Sequence, residues 1–504
     1  MKNTSKIFLA LALTGSLGVS AFLLSSQASS EKSTNPAPKL KLSDAPVSRD
    51  TRLTTSFAPV IKRVSASVVN IYSTRTVKEN LRTMPLMDDP FFRRFFGYEG
   101  EDPRERGPRT RQEQSLGSGV IASEDGYILT NNHVVEGADE IKVVLADDKK
   151  EYEAKVIGTD PQTDIAVLKV EDGKLPGVTI ADSDKLEVGD VVLAIGNPFG
   201  VGQTVTMGIV SATGRGVGIL GQEGYEDFIQ TDASINPGNS GGALVDADGR
   251  LVGINTAILS RSGGNQGVGF AIPINLVRFV MDRIIRDGKV SRGQLGVGIQ
   301  PVTSELAKEF NLPADQRGAL IGQVLPESPA EKAGLKEGDV VIEFNGKPVT
   351  DSRHLRLMVA QTAPDTKVAL KVLRDSKEKS LTATLGELSE KETAKGMRRS
   401  AGPESAQDTL DGVEVADLDS RVRRQYDIPD NVRGAIVTNV DPESPSYRKG
   451  IRPGDVILEI DRKAVRNADD AVKLSKNLKD SALLRVWRNG GTSYVVVDSA
   501  RQRK

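Results

Sequence analysis

Three short segments hold side chains that together could cleave an amide bond. Gly238-Asn239-Ser240-Gly241-Gly242 sets a serine among small residues. A serine nucleophile needs its Oγ beside a base and backbone N–H groups aimed at the developing oxyanion. Small flanks let the chain bend tightly and admit a substrate carbonyl. Taken alone, the pentapeptide reads equally as a glycine-rich turn. Thr130-Asn131-Asn132-His133-Val134-Val135 adds a histidine at the end of an expected strand, and histidine has the near-neutral pKa that a general base needs. Asp160-Pro161-Gln162-Thr163-Asp164-Ile165-Ala166-Val167-Leu168 adds an acid that can hydrogen-bond the far imidazole nitrogen and fix its tautomer. Two aspartates compete for that place. Asp160 precedes a proline and reads as a turn residue. Asp164 abuts an apolar strand and is therefore preferred.

The elements that must position these groups are mostly strands. Val120-Ile121-Ala122 and Tyr127-Ile128-Leu129 flank Asp125-Gly126, and Ala243-Leu244-Val245 and Leu251-Val252-Gly253-Ile254 flank Asp248-Gly249. Both are hairpin signals. Further strands are expected at Ser67 to Thr74, Ile141 to Leu145, Tyr152 to Ile157, Ile165 to Val170 and Val191 to Ile195. Short strands at regular spacing suggest closed or sandwiched antiparallel sheets. Ser56 to Val64 predicts a short helix. Asn275 to Arg286 predicts an amphipathic one, with Leu276, Val280 and Ile284 on one face, Asn275 as N-cap and Gly288 as the stop. Between the first strands lies a 75–115 loop, rich in charge and proline. It contains Phe91, Phe92, Phe95 and Phe96, which are costly to leave in water and are expected to dock on something.

Composition limits the rest. A chain of 504 residues suggests two to four domains. The formal net charge of -1 gives no reason to expect nucleic acid or an anionic membrane as main partner. There is no cysteine, which excludes a thiol nucleophile, disulfides and cysteine zinc sites. With only His133 and His354, a histidine-rich metal site is excluded too, and neither metal nor cofactor is expected. No G-x-x-x-x-G-K-[ST] segment occurs, so coupling to ATP is not expected. Lys2 and Lys6, an apolar run from Ile7 to Leu24 and Ser26-Gln27-Ala28 read as a signal peptide cleaved near Ala28, the rival being an uncleaved anchor.

The C-terminal part repeats itself. Pro326-Glu327-Ser328-Pro329 through Val349 matches Pro442-Glu443-Ser444-Pro445 through Val465 without a gap, sharing Gly-Asp-Val at 338–340 and 454–456. Two copies are too few for a solenoid and read as tandem small domains. The expected organisation is signal 1–28, disordered leader 29–54, β domain 55–290, first repeat domain 291–388, linker 389–408 and second repeat domain 409–501.

The order His133, Asp164, Ser240 is that of the two-barrel chymotrypsin-type arrangement. The pentapeptide also fits the G-x-S-x-G elbow of α/β-hydrolases. That fold needs Ser, acid, His, and the only later histidine is His354 inside the repeat region. With T-N-N-H-V-V, D-I-A-V-L, G-N-P-F-G at Gly196 to Gly200, Q-T-D-A-S-I-N-P-G-N-S-G-G at Gln230 to Gly242 and G-F-A-I-P at Gly269 to Pro273, the chain resembles the HtrA/DegP family of periplasmic serine proteases.

The resemblance implies a mainly β fold: a chymotrypsin-like double β-barrel followed by two small α+β PDZ domains. It implies His133 as general base, Asp164 as its orienting acid and Ser240 as nucleophile. The N–H groups of Gly238 and Ser240, with Asn239 between, would form the oxyanion hole. Ile235 would wall a small apolar pocket, and Thr256, Ala257, Ile258, Leu259 and Ser260 would bind extended substrate as an added strand. Leu295, Gly296, Val297, Gly298 and Ile299 would form the first PDZ carboxylate loop. The second carries Asp411 in place of the leucine, which would repel a carboxylate. That assigns peptide capture to the first PDZ and assembly to the second. Arg215 resembles the family's activation sensor, and His354 is expected on a PDZ helix.

The implied function is ATP-independent periplasmic degradation of unfolded or misfolded proteins, recruited through peptide C-termini, by a homotrimer or multiple of trimers. Phe57 and Phe91 to Phe96 are where its contacts are expected. A chaperone or scaffold with minor peptidase activity, and a membrane-anchored signalling protease, are the alternatives.

Overall fold

Asp125-Gly126 and Asp248-Gly249 turn the chain where the sequence places hairpins. Gly126 and Gly249 take φ of 94° and 81°, which glycine adopts without a Cβ clash. Val120 then pairs with Leu129, and Val245 with Leu251. The computed structural model describes residues 56–78, 110–145, 150–171, 175–197, 202–221, 224–258, 265–388, 407–410, 412–476, 478 and 481–498. The signal-like segment, the leader, Phe91 to Phe96, Asp411, Leu259 and Ser260 lie outside them.

Twelve strands close into two six-stranded barrels. The first holds β1 (Val68–Lys78), β2 (Thr110–Ile121), β3 (Tyr127–Thr130), β4 (Glu140–Leu145), β5 (Glu151–Asp160) and β6 (Ile165–Val170). The second holds β7 (Val191–Gly196), β8 (Thr204–Arg215), β9 (Phe228–Thr231), β10 (Ala243–Asp246), β11 (Leu251–Ile258) and β12 (Gly269–Pro273). β6 is an almost unbroken buried run, because it is covered on both faces. Ala166 and Leu168 face the interior of their own barrel. Ile165 and Val167 join Leu193, Ile195, Ile254 and Ile272 in the core between the barrels.

Two local expectations change, and a third residue is placed. The segment 75–115 is strand at both ends, with Lys78 paired to Thr110; pairing with β2 overrides the polar composition that read as loop. The helix after β12 runs Ile274–Asp287 and buries Leu276, Val280 and Ile284, with Gly288 closing it at φ 71°. Its N-cap is Pro273. Asn275 lies inside the first turn and donates from Nδ2 to Asp182 Oδ1 at 2.7 Å. Phe57 packs against the inter-barrel core of its own chain.

Three further sheets follow, in two domains. The first C-terminal domain has β13 (Gly293–Gln294), β14 (Val297–Pro301), β15 (Ala319–Val324), β16 (Val340–Phe344), β17 (Lys347–Pro348), β18 (Lys367–Arg374), β19 (Lys377–Thr384) and β20 (Gly386–Glu387), with a helix at Ser352–Ala360. The second has β21 (Gln407–Thr409), β22 (Val413–Asp417), β23 (Ala435–Val440), β24 (Val456–Ile460), β25 (Lys463–Ala464), β26 (Ser481–Arg488) and β27 (Gly491–Asp498), with a helix at Ala468–Ser475. The two domains share an apolar face in which Leu306, Leu320 and Val340 meet Leu483, Tyr494 and Val496. Gln300 bridges it, donating to Tyr494 O at 3.0 Å and accepting from Tyr494 N at 2.7 Å. Among the described residues, no helix is long and apolar enough to cross a membrane.

Candidate active site

The expected acid and base meet between the barrels. His133 lies in a single helical turn, Asn132–Val135, directly after β3. Asp164 ends the turn that leads into β6 and takes φ 59°. A non-glycine residue in that region is uncommon, and here three contacts hold it. Its carbonyl accepts from Asn132 N at 3.1 Å and Asn131 Nδ2 at 3.0 Å, and its carboxylate accepts from His133 N at 3.0 Å. The loop bearing the base is thus stitched to the acid. His133 Nδ1 stands 2.8 Å from Asp164 Oδ2 and 3.0 Å from Oδ1, with both side chains nearly sealed from water. With Asp164 accepting from Nδ1–H, Nε2 is the nitrogen left to take a proton.

Ser240 sits just before β10 and is buried. Its hydroxyl donates to Thr256 O at 3.1 Å. Thr256 also donates its own hydroxyl to Asp164 Oδ2 at 2.7 Å. One residue therefore touches both ends of the constellation. It can do so because β11 and β12 lose register between Asn255 and Ala257. Asn255 pairs with Ala271 and Ala257 with Phe270, leaving Thr256 as the extra residue of a β-bulge, which re-aims a side chain out of the alternation. The sequence reading placed Thr256 only among substrate-binding residues; a bulge leaves no mark in composition.

The nucleophile loop is shaped by close approach. Gly238, at φ 96°, is the third residue of a turn closed by Asn239 N donating to Asn236 O at 2.9 Å, a type II geometry that needs glycine there. Gly241 (φ 82°) has no room for a side chain: a Cβ would lie 2.1 Å from Ser118 O. Ser118 was not singled out from sequence. It reaches across from the first barrel, donating from Oγ to Gly238 O at 2.7 Å, while its own N–H donates to Ser240 O at 2.8 Å. Among the described residues, the N–H groups of Gly238 and Ser240 donate to no protein acceptor. Ile235 is buried beneath this loop against Gly269. Ala257 is buried in β11 beside Thr256, and Ile258 ends that strand.

Other expected residues lie elsewhere. Arg215 ends β8, and its Nε donates to Gln230 Oε1 at 3.1 Å. His354 is on the 352–360 helix, where Thr350 N and Oγ1 lie 3.3 and 3.0 Å from its Nδ1; burial lowers its pKa below the ordinary value. Leu295 and Gly296 lead into β14 and Val297 to Ile299 begin it, with Gly296 at φ 73° and its carbonyl accepting from Leu325 N at 2.9 Å. Asp160 opens the expected turn, its carbonyl accepting from Thr163 N at 3.2 Å, and does more. It ends β5, buried, ion-paired to Arg292 at 2.5 Å and accepting from Thr163 Oγ1. The partner comes from the start of the next domain, far along the chain, so local sequence gives no hint of it. Among the described residues, no cluster of acids and histidines could hold a metal ion.

A second joint lies beside the acid's turn. Tyr225 N donates to Gln162 O at 2.7 Å. The Tyr225 ring is stacked by the guanidinium groups of Arg292 and Arg356, each 4.5 Å from its centroid. Arg353 donates to Glu226 O at 3.0 Å and pairs with Asp227 at 3.2 Å. Burial raises Asp227 to about 6.

Comparison with known proteins agrees with this architecture. Residues 117–254 match a trypsin-like peptidase domain, and 293–385 and 436–488 each match a PDZ domain. A probable periplasmic serine endoprotease, DegP-like, of Pseudomonas putida strain F1 is 42% identical over 448 residues, covering 87% of this chain and 92% of the relative. The protein of the same description in Marinomonas sp. strain MWYL1 is 43% identical over 449 residues, with the same coverage. The solved structure of the HtrA-type protease AlgW with decapeptide is 49% identical, at a TM-score of 0.52, over 66% of this chain and 99% of that one.

Proposed function

The chain belongs to the HtrA/DegP family of serine endoproteases, and on that premise we propose that His133, Asp164 and Ser240 are the triad with which it cuts unfolded or damaged proteins of the periplasm. It is a serine endopeptidase with a trypsin-like domain and two PDZ domains. The observation that carries the residue assignment is the contact of His133 Nδ1 with Asp164 at 2.8 Å, joined to Ser240 through Thr256.

Catalysis starts with the Ser240 hydroxyl turning from Thr256 O toward His133 Nε2. As Oγ bonds to the scissile carbonyl carbon, its proton passes to Nε2, and Asp164 stabilises the imidazolium without taking the proton. The charge arriving on the carbonyl oxygen is received by the N–H groups of Gly238 and Ser240. Preorganised donors of this kind supply about 3 kcal/mol each. His133 then protonates the leaving amine, and water repeats the sequence on the acyl-enzyme. Ile235 floors the pocket for a small apolar side chain before the cut, and the stretch from Thr256 to Ser260 adds substrate as a strand. Strand addition needs an extended chain, which favours unfolded proteins.

The first PDZ domain recruits peptide C-termini at Leu295–Ile299, beside the open edge of β14. Arg215 acts as an activation sensor. Residues 1–28 direct export and are removed, and the protein works without ATP as a trimer or multiple of trimers. Ser240→Ala is the test: casein cleavage vanishes while suppression of aggregation can persist. Cleavage surviving in that variant overturns the nucleophile assignment.

A further inference from the structure

β14 and β22 hold the same place in the two PDZ domains. Each pairs antiparallel with the next strand, and each slips register at the same point, between Gly298 and Ile299 or Glu414 and Val415. Each follows a glycine of positive φ, Gly296 at 73° or Gly412 at 100°. Each glycine carbonyl accepts the corresponding N–H, from Leu325 at 2.9 Å or Asp441 at 2.8 Å. The loop that would receive a carboxylate is thus built in both.

The outer edges differ. β14 is the terminal strand of its sheet. β22 is not, because β21 lies along it antiparallel, with Thr409 opposite Val413, Asp408 opposite Glu414 and Gln407 opposite Val415. β21 also contacts the 468–475 helix, so it occupies the slot between strand and helix. That is the position and direction of a peptide added by strand pairing, its C-terminal end at the Gly412 loop.

The cause lies in how the chain enters each domain. In the first, Arg292 is held by Asp160, and Gly293 and Gln294 pair with Glu387 and Gly386. The entering strand is drawn away, and among the described residues β14 stays open. In the second, no strand pairs with the entering chain except β22 among the described residues. An unpaired strand edge is costly to leave, and the entering chain covers it.

We infer that the second PDZ domain contains a latent site for peptide C-termini, filled by the chain's own residues Gln407–Thr409. This rests on the peptide-binding reading of the first PDZ and departs from the expectation drawn from Asp411: the filled edge, rather than that charge, keeps external peptides out. The filling strand is joined to β22 by three residues, so an external peptide competes against an effective concentration in the millimolar range. Proteins or conditions that pull on the linker would open the site.

The test uses the full chain carrying Ser240→Ala, so that peptides are not cut. Gln407→Pro with Asp408→Pro removes two adjacent N–H groups, one of which must point at β22 in an antiparallel ladder. A second variant replaces Gln407, Asp408 and Thr409 with glycine. Trp487, the only tryptophan, reports whether the second PDZ stays folded. The probe is a decapeptide ending in valine with a free carboxylate, with its C-terminal amide as control. Calorimetry is expected to give about one peptide per chain in the parent and about two in both variants, and none for the amide. Two sites in the parent, or one site in folded variants, overturns the inference. Binding to neither domain in the parent sinks the reading of the first PDZ instead. Deuterium uptake then decides the inference alone: uptake at Val413–Asp417 must rise in the proline variant, and unchanged uptake contradicts it.

Discussion

Asp339 and Asp455 occupy the same place in the two PDZ domains and hold the same clasp. Each is buried, accepts the N–H of a residue three back, Lys336 or Arg452, and binds an arginine at the end of a central strand, Arg374 or Arg488. Each arginine also donates to a glycine carbonyl, Gly334 or Gly450. The repeat therefore encodes one core twice. What separates the copies is their outer surface and the chain that enters them. On the groove helix, the first domain carries Arg353 and Arg356, which dock on Tyr225, Glu226 and Asp227 beside the turn that bears Asp164. The aligned positions in the second are Asp469 and Val472, which cannot make those contacts. The first copy docks on the protease through its groove helix and keeps an open β14 edge, whereas the second meets the first through β26 and β27 and has its β22 edge covered by β21.

The largest effect should come from the anchor that makes the entries differ. Asp160→Asn strips a buried guanidinium of its charge partner and should cost about 3 kcal/mol, measured by urea unfolding. It should also raise proteolytic nicking around residue 290. The clasp comes next. Asp339→Asn should destabilise the first domain by about 2 kcal/mol and Asp455→Asn the second by less. The reason is that the Arg374 side chain is 16% exposed and that of Arg488 47%, so water replaces more of the lost contact in the second. Equal losses by calorimetry would break this part of the comparison.

Copying the second domain's charge into the first, Arg353→Asp, should cost about 1 kcal/mol, the scale of a partly exposed pair. Deuterium uptake at 224–228 should rise, with the fold unchanged by circular dichroism. The smallest effect is pH dependence. Burial lifts Asp227 from its ordinary 3.8 to about 6. Between those values the docked state binds more protons than the undocked one, so docking weakens as pH rises through that window. Asp227→Asn should flatten the slope of uptake at 224–228 between pH 4 and 6.

The hairpins at Asp125-Gly126 and Asp248-Gly249 were legible because turn chemistry is local. The meeting of His133 and Asp164 was legible because each residue ends or begins an apolar strand and few histidines compete. Thr256 was placed only in part, since its contact with Asp164 needs a bulge that pairing with β12 creates. Asp160 was read only as a turn residue because its ion-pair partner lies in the next domain. The role of Gln407–Thr409 was invisible because these polar residues form a strand only by completing β22. For Thr256 and Asp160 the missing information was a partner distant in sequence; for Gln407–Thr409 it was the strand that follows directly, whose edge they complete.

Ser240 as nucleophile is tested most directly by covalent labelling. A fluorophosphonate, which reacts with activated serines, should add to the peptide containing Ser240 and nowhere else. Asp164→Asn should slow labelling by about 10⁴-fold, and Ser240→Ala should abolish it. Label retained by Ser240→Ala, or found on another serine of the folded enzyme, would contradict the assignment.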